Sequence, residues 1–398
     1  MRQEYAIVDP CQFTANYNYC LLDALGRTGA KIVYATTEFA HGYVPDPKDV
    51  KVFRCFFYAA RLMTRLTSSG SLRRFLRAIE YPLDLFALLA YLLIARIKLI
   101  HFMWVVSPWL DYQVIRLLKA IGCRIVYTAH NPFPHECRAG DIKKYCRIYQ
   151  CVDHVIALTS YTQNQIIARC KVPLEKISVI PHGHYDPLFS HYGCNYALAQ
   201  KVRQKAGGRR IAAFLGGIRP YKGLDVFIEA FPLIKQRMPD VFFLVAGSIR
   251  VGDKKQFKSK LARCEADELW ADIRFLPIAD MKAYLLVTDV LVQPYVSASQ
   301  SGNTAMAYAA GVPVICTDVG GLREMTEDGK TGYVVAPQDP EALAEAVAKC
   351  FRGDNYTNLS RNARQAAEIQ YSWGKIAVQT AAVYKALLQH EEDQFAPN

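Results

Sequence analysis

The sequence predicts an α/β protein with two doubly wound parallel sheets, in two domains that face a cleft. Its 398 residues are enough for about two ordinary domains, and a hydrophobic content of 52 % supplies apolar side chains for two cores. Short apolar runs alternate with helical segments along both halves, which is typical of βαβ units. We therefore place one domain at residues 1–190 and the next at residues 191–372.

Six apolar strands and the helices between them predict the first domain. The strands are Tyr5–Val8, Lys31–Thr36, Leu99–Val106, Arg124–Ala129, Val152–Leu158 and Ile177–Ile180, and the helices are Asn16–Leu25, Tyr112–Ile121 and 161–169. Residues 53–79 carry an arginine-rich helical pattern, and the apolar segment Leu83–Ala95 follows. That segment is too short to span a bilayer, so it is either a buried core helix or an amphipathic helix on a membrane surface.

A polar stretch at residues 190–210 predicts an irregular linker before the second domain. The strands that follow are Ile211–Leu215, Val241–Ala246, Arg274–Leu276, Val290–Pro294 and Val312–Thr317, and the helices are Gly223–Arg237, Met281–Val287, Ser301–Ala310, Glu341–Phe351 and Ile376–Leu388. Ligands of such sheets bind beyond the carboxyl ends of the strands, so we expect functional residues in the loops there.

The positive charge lies mostly in the first half of the chain. Residues 1–185 hold 23 Lys and Arg against 13 Asp and Glu, a net charge of +10, whereas residues 186–398 hold 25 against 23. This asymmetry suggests nucleic acid, an anionic membrane surface or a phosphorylated substrate as partner, although a plain solvated surface would look the same. Nucleic acid is disfavoured, because the arginines at 54–77 lie in an apolar helical region without the aromatic platforms of single-strand binders.

The twelve cysteines are scattered, with no Cys-x-x-Cys pair and no zinc-ligand spacing. We interpret them as reduced thiols of a cytosolic protein. We also expect no signal peptide, because a strand begins at Tyr5. The sequence also contains no Asp-x-Asp pair, and we predict no metal site.

A turn in the second domain has the residues to bind a diphosphate. The strand Ile211–Leu215 leads into Gly216 and Gly217, and Arg219 and Lys222 follow just before a helix. Glycines let a ligand approach the backbone, and two cations beside a helix N-terminus suit phosphate oxygens. The alternative is an ordinary turn with solvated charges.

Two further segments of the second domain are candidates for the same ligand. One is a helix start crowded with small polar residues, whose free N–H groups could hold phosphate oxygens. The other is a glycine pair at the end of a strand, followed by a glutamate that could bind ligand hydroxyls or only cap a turn. The residues concerned are Ser299, Ser301, Gly302 and Asn303 in the helix start, and Gly320, Gly321 and Glu324 in the loop.

The first domain has a polar loop directly after the strand Arg124–Ala129. It holds His130, His135 and Glu136, which could do acid–base work or orient hydroxyl groups, or could simply bond to nearby backbone. Zinc ligation is disfavoured, because the spacing matches no common site.

These segments, in this order, resemble the GT-B glycosyltransferases of family four, also called group 1. The resemblance is good over residues 211–375 and loose over residues 1–185. Gly311-Val312-Pro313 matches a strand of the family, and the turn with Arg219 and Lys222 matches its donor diphosphate site. The resemblance implies two Rossmann-like domains and a helix at 373–398 that crosses back to the first domain.

The chain departs from the family at identifiable positions. The family usually carries a Glu-x7-Glu pair, and those two positions hold Ala298 and Met306 here. The arginine of the diphosphate turn stands three residues before Lys222, where the family has it five before. The first loop reads Pro10-Cys11-Gln12-Phe13-Thr14 in place of a glycine pair.

The resemblance implies a metal-independent hexosyltransferase that needs no cofactor. It would move a hexose from a GDP- or UDP-sugar to a lipid-linked or oligosaccharide acceptor, in polysaccharide or glycoconjugate assembly. Lys222 and Arg219 would neutralise the leaving diphosphate, His130 would contact the sugar, and Glu136 or His135 would be the base of an inverting reaction. The enzyme would be cytoplasmic, at the inner face of the cell membrane. Alternatively, the chain is a non-catalytic subunit that binds nucleotide sugars.

Overall fold

The structure is a computed structural model, and it describes residues 4–39, 44–66, 70–134, 139–249, 254–261, 264 and 267–394. These residues form two compact units with one parallel sheet each. The first unit combines Met1–Pro181 with Trp373–Asn398, and the second is His182–Ser372. The predicted pair of doubly wound parallel sheets is therefore confirmed.

The first unit contains a seven-stranded sheet in the order β3-β2-β1-β4-β5-β6-β7. The strands are β1 (Glu4–Asp9), β2 (Lys31–Thr36), β3 (Val50–Arg54), β4 (Leu99–Phe102), β5 (Arg124–Ala129), β6 (His154–Ala157) and β7 (Ile177–Val179). Tyr5 of β1 lies opposite Ile32 of β2 on one side and Leu99 of β4 on the other. Chain order reverses between β1 and β4, and sheets of this kind bind ligands beside such a reversal.

Within the described ranges, six α-helices connect these strands. They are α1 (Ala15–Gly26), α2 (Tyr58–Leu66), α3 (Gly70–Ile94), α4 (Pro108–Ala120), α5 (Ala139–Cys151) and α6 (Ser160–Cys170). The core lies between helices and sheet and is built from side chains such as Ile7, Leu88 and Ile125, all fully buried. Across the described ranges, no helix combines the length and the hydropathy that a bilayer crossing needs.

The second unit contains a six-stranded sheet in the order β10-β9-β8-β11-β12-β13. The strands are β8 (Arg210–Leu215), β9 (Val241–Ala246), β10 (Leu269–Asp272), β11 (Val290–Gln293), β12 (Val314–Thr317) and β13 (Gly332–Val335). The helices are α7 (Asp186–Tyr192), α8 (Tyr196–Ala206), α9 (Leu224–Arg237), α10 (Lys254–Leu261), α11 (Ile278–Val287), α12 (Gly302–Ala309), α13 (Leu322–Met325), α14 (Pro340–Cys350) and α15 (Asn355–Ile369). Here chain order reverses between β8 and β11.

The last helix, α16 (Trp373–Gln394), is part of the first unit. It packs along α1, and the ring of Trp373 meets the ring of Tyr17 edge to face at 5.1 Å. Farther along, the buried Tyr384 hydroxyl lies 2.6 Å from Nδ1 of His101 on β4. The final segment of the chain therefore completes the core that begins at β1.

Two predicted elements are wrong. Residues 190–210, expected to be an irregular linker, contain α8, because Asn195 caps this helix through Leu198 N and Val202 packs into the core. The strand expected at Arg274–Leu276 is instead β10, five residues earlier. Arg274 is held outside the sheet by ion pairs with Asp272 and Asp280.

The expectation that every cysteine is a reduced thiol is also wrong. Cys146 of α5 and Cys170 of α6 form a disulfide. The two residues are 24 positions apart, so no local Cys spacing marks them as a pair. They meet because α5 and α6 are neighbours.

Candidate active site

The predicted glycine turn after β8 is in direct contact with the start of α12. Gly216 has a φ of +102°, and Nδ2 of Asn303 donates a hydrogen bond to the Leu215 carbonyl at 2.7 Å. A Cβ at Gly216 would lie 2.7 Å from the same amide nitrogen. The backbone conformation therefore favours glycine here, and a side chain at this position would displace the Asn303 amide.

The two cations of this turn rest on aromatic rings. Nζ of Lys222 lies 5.1 Å from the centre of the Tyr295 ring, and the Arg219 guanidinium lies 6.0 Å from that of Tyr221. Among the described residues, no carboxylate forms an ion pair with either cation. Both side chains are half-buried, and no carboxylate in the described ranges competes with an anionic ligand for their charges.

The same turn is locked against the loop that follows β11. The Val296 N–H donates to the Tyr221 carbonyl at 2.7 Å. Gly223, which precedes α9, has a φ of +65°, and a Cβ there would lie 1.9 Å from the Pro294 carbonyl oxygen. The backbone that carries Arg219 and Lys222 is thus held by glycine-dependent packing.

At the start of α12, the side chains of the predicted serines are turned toward the core. Oγ of Ser301 accepts a hydrogen bond from Gln293 at 3.1 Å, and its N–H points at Sδ of Met325, 3.4 Å away. Ser299 is buried as well. Gly302 and Asn303 are half-buried, and N–H groups in the first turn of a helix have no partner within the helix. These two residues are therefore better placed than the serines to receive an anion.

His182 packs against this helix start, a contact that no local sequence pattern predicts. A Cβ at Gly302 would lie 3.1 Å from atoms of the imidazole ring. Nδ1 of His182 lies 2.7 Å from the Gly183 carbonyl, and the Tyr185 hydroxyl lies 3.3 Å from Nε2. Burial lowers the pKa of His182 to about 4, so the ring is neutral at pH 7 and donates from Nδ1.

The third predicted segment joins the second. Gly320 has a φ of +52°, and the N–H of Gly321 donates to the Ala298 carbonyl at 3.3 Å. Glu324 lies exposed on the short helix α13. Ala298 and Met306, at the positions of the family's glutamates, are buried in the core of this unit.

The three segments therefore meet at the carboxyl ends of β8, β11 and β12, beside the reversal of chain order. Two cations, a helix start and two glycine turns there form a surface that can hold a diphosphate. In the part of the chain that the structure describes, no three His, Cys, Asp or Glu side chains are grouped to hold a metal ion.

His130 lies in the first unit, after β5, and is almost completely buried. Its ring stacks on Trp104, with centroids 4.9 Å apart and planes 4° from parallel, and it meets the edge of Tyr17. Nε2 lies 3.5 Å from Oγ1 of Thr14. Residues 135–138, which include Glu136, lie outside the described ranges.

Two family models match the chain, one for each half. Residues 15–184 match a model described as Glycosyltransferase Family 4, and residues 209–352 match one described as Glycosyl transferases group 1. The second match contains all three segments of the candidate diphosphate site.

Curated relatives agree with these models. A phosphatidyl-myo-inositol mannosyltransferase of Mycobacterium leprae is 30 % identical over 49 % of this chain and 52 % of its own length. A D-inositol 3-phosphate glycosyltransferase of Corynebacterium glutamicum is 26 % identical over 71 % of this chain and 72 % of its own length. The chain spans between 52 % and 66 % of the length of three of the matched relatives.

Solved structures share the fold over nearly the whole chain. A glycosyltransferase from Rickettsia africae has a TM-score of 0.73 at 17 % identity and covers 97 % of this chain and 99 % of its own. Anabaena HepE in complex with UDP-glucose has a TM-score of 0.69 at 16 % identity and covers 96 % of this chain and 100 % of its own.

Proposed function

The chain belongs to the glycosyltransferases of family 4 and group 1, and from this premise we propose that it transfers a hexose from a UDP- or GDP-sugar to a lipid-linked or oligosaccharide acceptor. The observation that carries the proposal is the meeting of the Arg219 and Lys222 turn with the start of α12 at the reversal of the second sheet. HepE, one of the similar structures, binds UDP-glucose, which supports this donor class.

In the proposed reaction, the second unit stabilises the departing diphosphate. As the bond from the sugar to the diphosphate breaks, negative charge grows on the phosphate oxygens, and fixed cations lower the free energy of that state. Lys222 and Arg219 supply the charge, the first turn of α12 supplies N–H groups, and Gly217, with no atom within 4 Å of its Cβ position, leaves room at the backbone. His130 would contact the sugar, and Glu136 or His135 is proposed as the base if the reaction inverts.

The same arrangement supports a metal-independent reaction without a cofactor, because Arg219 and Lys222 can neutralise the diphosphate charge that a divalent ion would otherwise neutralise. We expect chelation with EDTA to leave the rate of nucleoside diphosphate release unchanged. Added magnesium or manganese serves as the matching control. An absolute requirement for either ion would contradict this part of the proposal.

An acceptor held at a membrane is supported by the outer face of α3. From Leu72 to Phe86, large apolar side chains recur on it every three or four residues and are exposed, for example Phe75 at 62 % and Phe86 at 72 %. The apolar row consists of Leu72, Phe75, Ile79, Leu83, Phe86, Leu93 and Ile94. Leu85, Leu88 and Leu92 on the other face are buried, so the helix is apolar on two sides.

The charges of α3 favour an anionic bilayer as the surface that it meets. Its two carboxylates point inward, since Glu80 accepts from the Ala60 N–H and Asp84 from the Phe57 N–H, both at 2.8 Å. Arg74 and Arg77 are exposed on the same helix as the apolar row. We therefore propose peripheral association with the inner face of the cell membrane, in the assembly of a polysaccharide or glycoconjugate.

A second candidate function follows from Ala298 and Met306. Because neither can bind a hydroxyl, the chain could retain nucleotide-sugar binding without turnover, as a subunit of an assembly complex. Thermal shift against UDP- and GDP-sugars, followed by measurement of nucleoside diphosphate release with candidate acceptors, separates the two. Release above the uncatalysed rate supports the transferase, and stabilisation without release supports the binding subunit. Neither effect with any donor would contradict both.

A further inference from the structure

The first unit has a crevice of its own where chain order reverses, between β1 and β4. The loop after β1 covers residues 10–14, and the loop after β4 covers residues 103–107. Doubly wound sheets bind ligands beside this reversal. The chemistry of these two loops therefore bears on what the first unit binds.

Hydrogen bonds to buried groups fix the conformation of the loop after β1. The buried carboxylate of Asp9 accepts hydrogen bonds from the N–H groups of Cys11 and Gln12, at 3.2 and 2.9 Å, and from the side chain of Asn18. Gln12 has a φ of +50°, an unusual conformation for a residue with a Cβ, and its amide donates to the Thr37 carbonyl. A loop fixed in this way presents the following residue in one position.

That residue is Phe13, whose side chain is 65 % exposed. Its ring meets Trp104 edge to face at 5.5 Å, and the indole N–H of Trp104 donates to Oγ1 of Thr14 at 3.0 Å. Trp104 in turn lies flat on His130. Phe13, Trp104 and His130 therefore form one continuous aromatic wall, fixed by a hydrogen bond and open to solvent at Phe13.

We propose that this aromatic wall binds a pyranose ring of the acceptor, an inference that rests on the proposed transferase function. One face of a pyranose presents C–H groups and packs on aromatic rings, while its hydroxyls need polar neighbours. The wall offers both, because Oγ1 of the half-buried Thr14 lies beside the Trp104 ring, whose indole N–H it binds. Phe13 thereby determines acceptor specificity, and Trp104 positions His130.

Ligand-observed NMR by saturation transfer tests the proposal without nucleotide or turnover. The probes are methyl α-D-mannopyranoside, methyl α-D-glucopyranoside and methyl β-D-galactopyranoside, with uridine as a nucleobase control. We expect at least one glycoside to receive saturation at its ring protons, and Phe13→Ala to weaken that binding about fivefold to tenfold, as loss of one aromatic contact should. Tyr196→Ala, which removes a similarly exposed ring from the second unit, is expected to change nothing.

Three outcomes overturn the proposal. The wild type binds no glycoside, or wild type and Phe13→Ala bind glycosides equally well, or Phe13→Ala loses the saturation-transfer signal of uridine but keeps that of the glycosides. Release of nucleoside diphosphate from the donor is measured in parallel on the wild type and on Tyr196→Ala, which is expected to retain it. If the wild type binds glycosides but releases no nucleoside diphosphate from any donor, the transferase proposal fails while the sugar-binding wall stands. If it releases nucleoside diphosphate but Phe13→Ala binds glycosides normally, only the wall fails.

Discussion

Lys222 has a position in which charge matters and packing matters little. The Lys222 side chain is half-buried, and its ammonium group forms a cation–π contact with the Tyr295 ring. We predict that Lys222→Ala slows nucleoside diphosphate release by about 100-fold to 1000-fold, as expected for the loss of one preorganised electrostatic contact. The free energy of unfolding should fall by about 1 kcal/mol or less, because only a cation–π contact is lost.

The control for this variant is Lys201→Ala, which truncates an exposed lysine on α8. Its rate of release and its melting temperature should both match the wild type. A Lys222→Ala protein that turns over normally would remove this residue from the proposed mechanism.

His182 makes the stability of the protein depend on pH. Its pKa is lowered by burial to about 4, whereas an unfolded histidine has a pKa of about 6.5. Between these values the unfolded chain binds a proton that the folded chain does not, so the contribution to stability is lost as the pH falls through this window. His182→Asn should therefore reduce the loss of unfolding free energy between pH 7 and pH 5 by about 1–2 kcal/mol.

Urea denaturation of both proteins at both pH values measures this difference. His101, whose pKa burial lowers to about 3, is present in both and contributes the same acid sensitivity to each. Equal losses in wild type and variant would show that His182 is not buried as a neutral ring.

At the scale of elements, the β8–α9 turn depends on Gly223. An alanine there would adopt a positive φ and would also bring its Cβ to 1.9 Å from the Pro294 carbonyl oxygen. Gly207 at the end of α8 has a similar φ of +61° but no atom within 4 Å of its Cβ position. We predict that Gly223→Ala lowers the free energy of unfolding by about 2–4 kcal/mol, against about 1 kcal/mol for Gly207→Ala.

Denaturant unfolding of the two variants isolates the packing contribution, since the backbone conformation costs each about the same. Similar destabilisation of both would mean that the loop after β11 yields easily and does not hold the turn in place.

How much of the fold the sequence predicts depends on how each element is buried. The central strands were predictable because both faces of a parallel sheet are covered, which leaves continuous apolar runs such as Val241–Ala246. The edge strands β3 and β13 were missed, because Lys51 and Arg54 interrupt the apolar pattern of β3, and β13 begins at Gly332 directly after a turn. The helix α8 was predicted as a linker because its sequence is mostly polar: only the side chains of Ala199, Val202 and Ala206 are buried.

The same limit applies to the candidate site. The turn at Gly216 was predictable, since glycines and cations between a strand and a helix are a local pattern. Its contact with Asn303 and the packing of His182 on Gly302 join residues about 90 and 120 positions apart, which only the order of strands in the sheet brings together. The disulfide between α5 and α6 escaped prediction for the same reason.

At the scale of the whole molecule, α3 and the positive charge of the first half predict salt-dependent membrane binding. Each basic residue near an anionic surface contributes about 1 kcal/mol, and salt screens that attraction over a Debye length of about 8 Å at physiological ionic strength. The protein should sediment with phosphatidylglycerol vesicles at low salt, be largely released at high salt, and bind phosphatidylcholine vesicles poorly.

Replacing Phe75 and Phe86 together by serine should weaken this binding about tenfold or more, because two exposed aromatic rings can no longer enter the interface. Ile369→Ser, which changes an exposed apolar residue on α15 of the second unit, serves as the control. Binding that is insensitive to Phe75 and Phe86 would assign the apolar row on α3 to another partner, and no binding at all would remove the membrane from the proposal.

The place of α16 in the first unit has a consequence for the order in which the protein is made. A ribosome completes all of the second unit before it reaches Trp373, yet the first unit needs Trp373 and Tyr384 to cover Tyr17 and His101. The part that is translated first therefore finishes folding last, and until then its aromatic cluster faces water. A stop codon just before Trp373 would leave the second unit intact. It would damage the first unit, although that unit is encoded mainly at the 5′ end of the message.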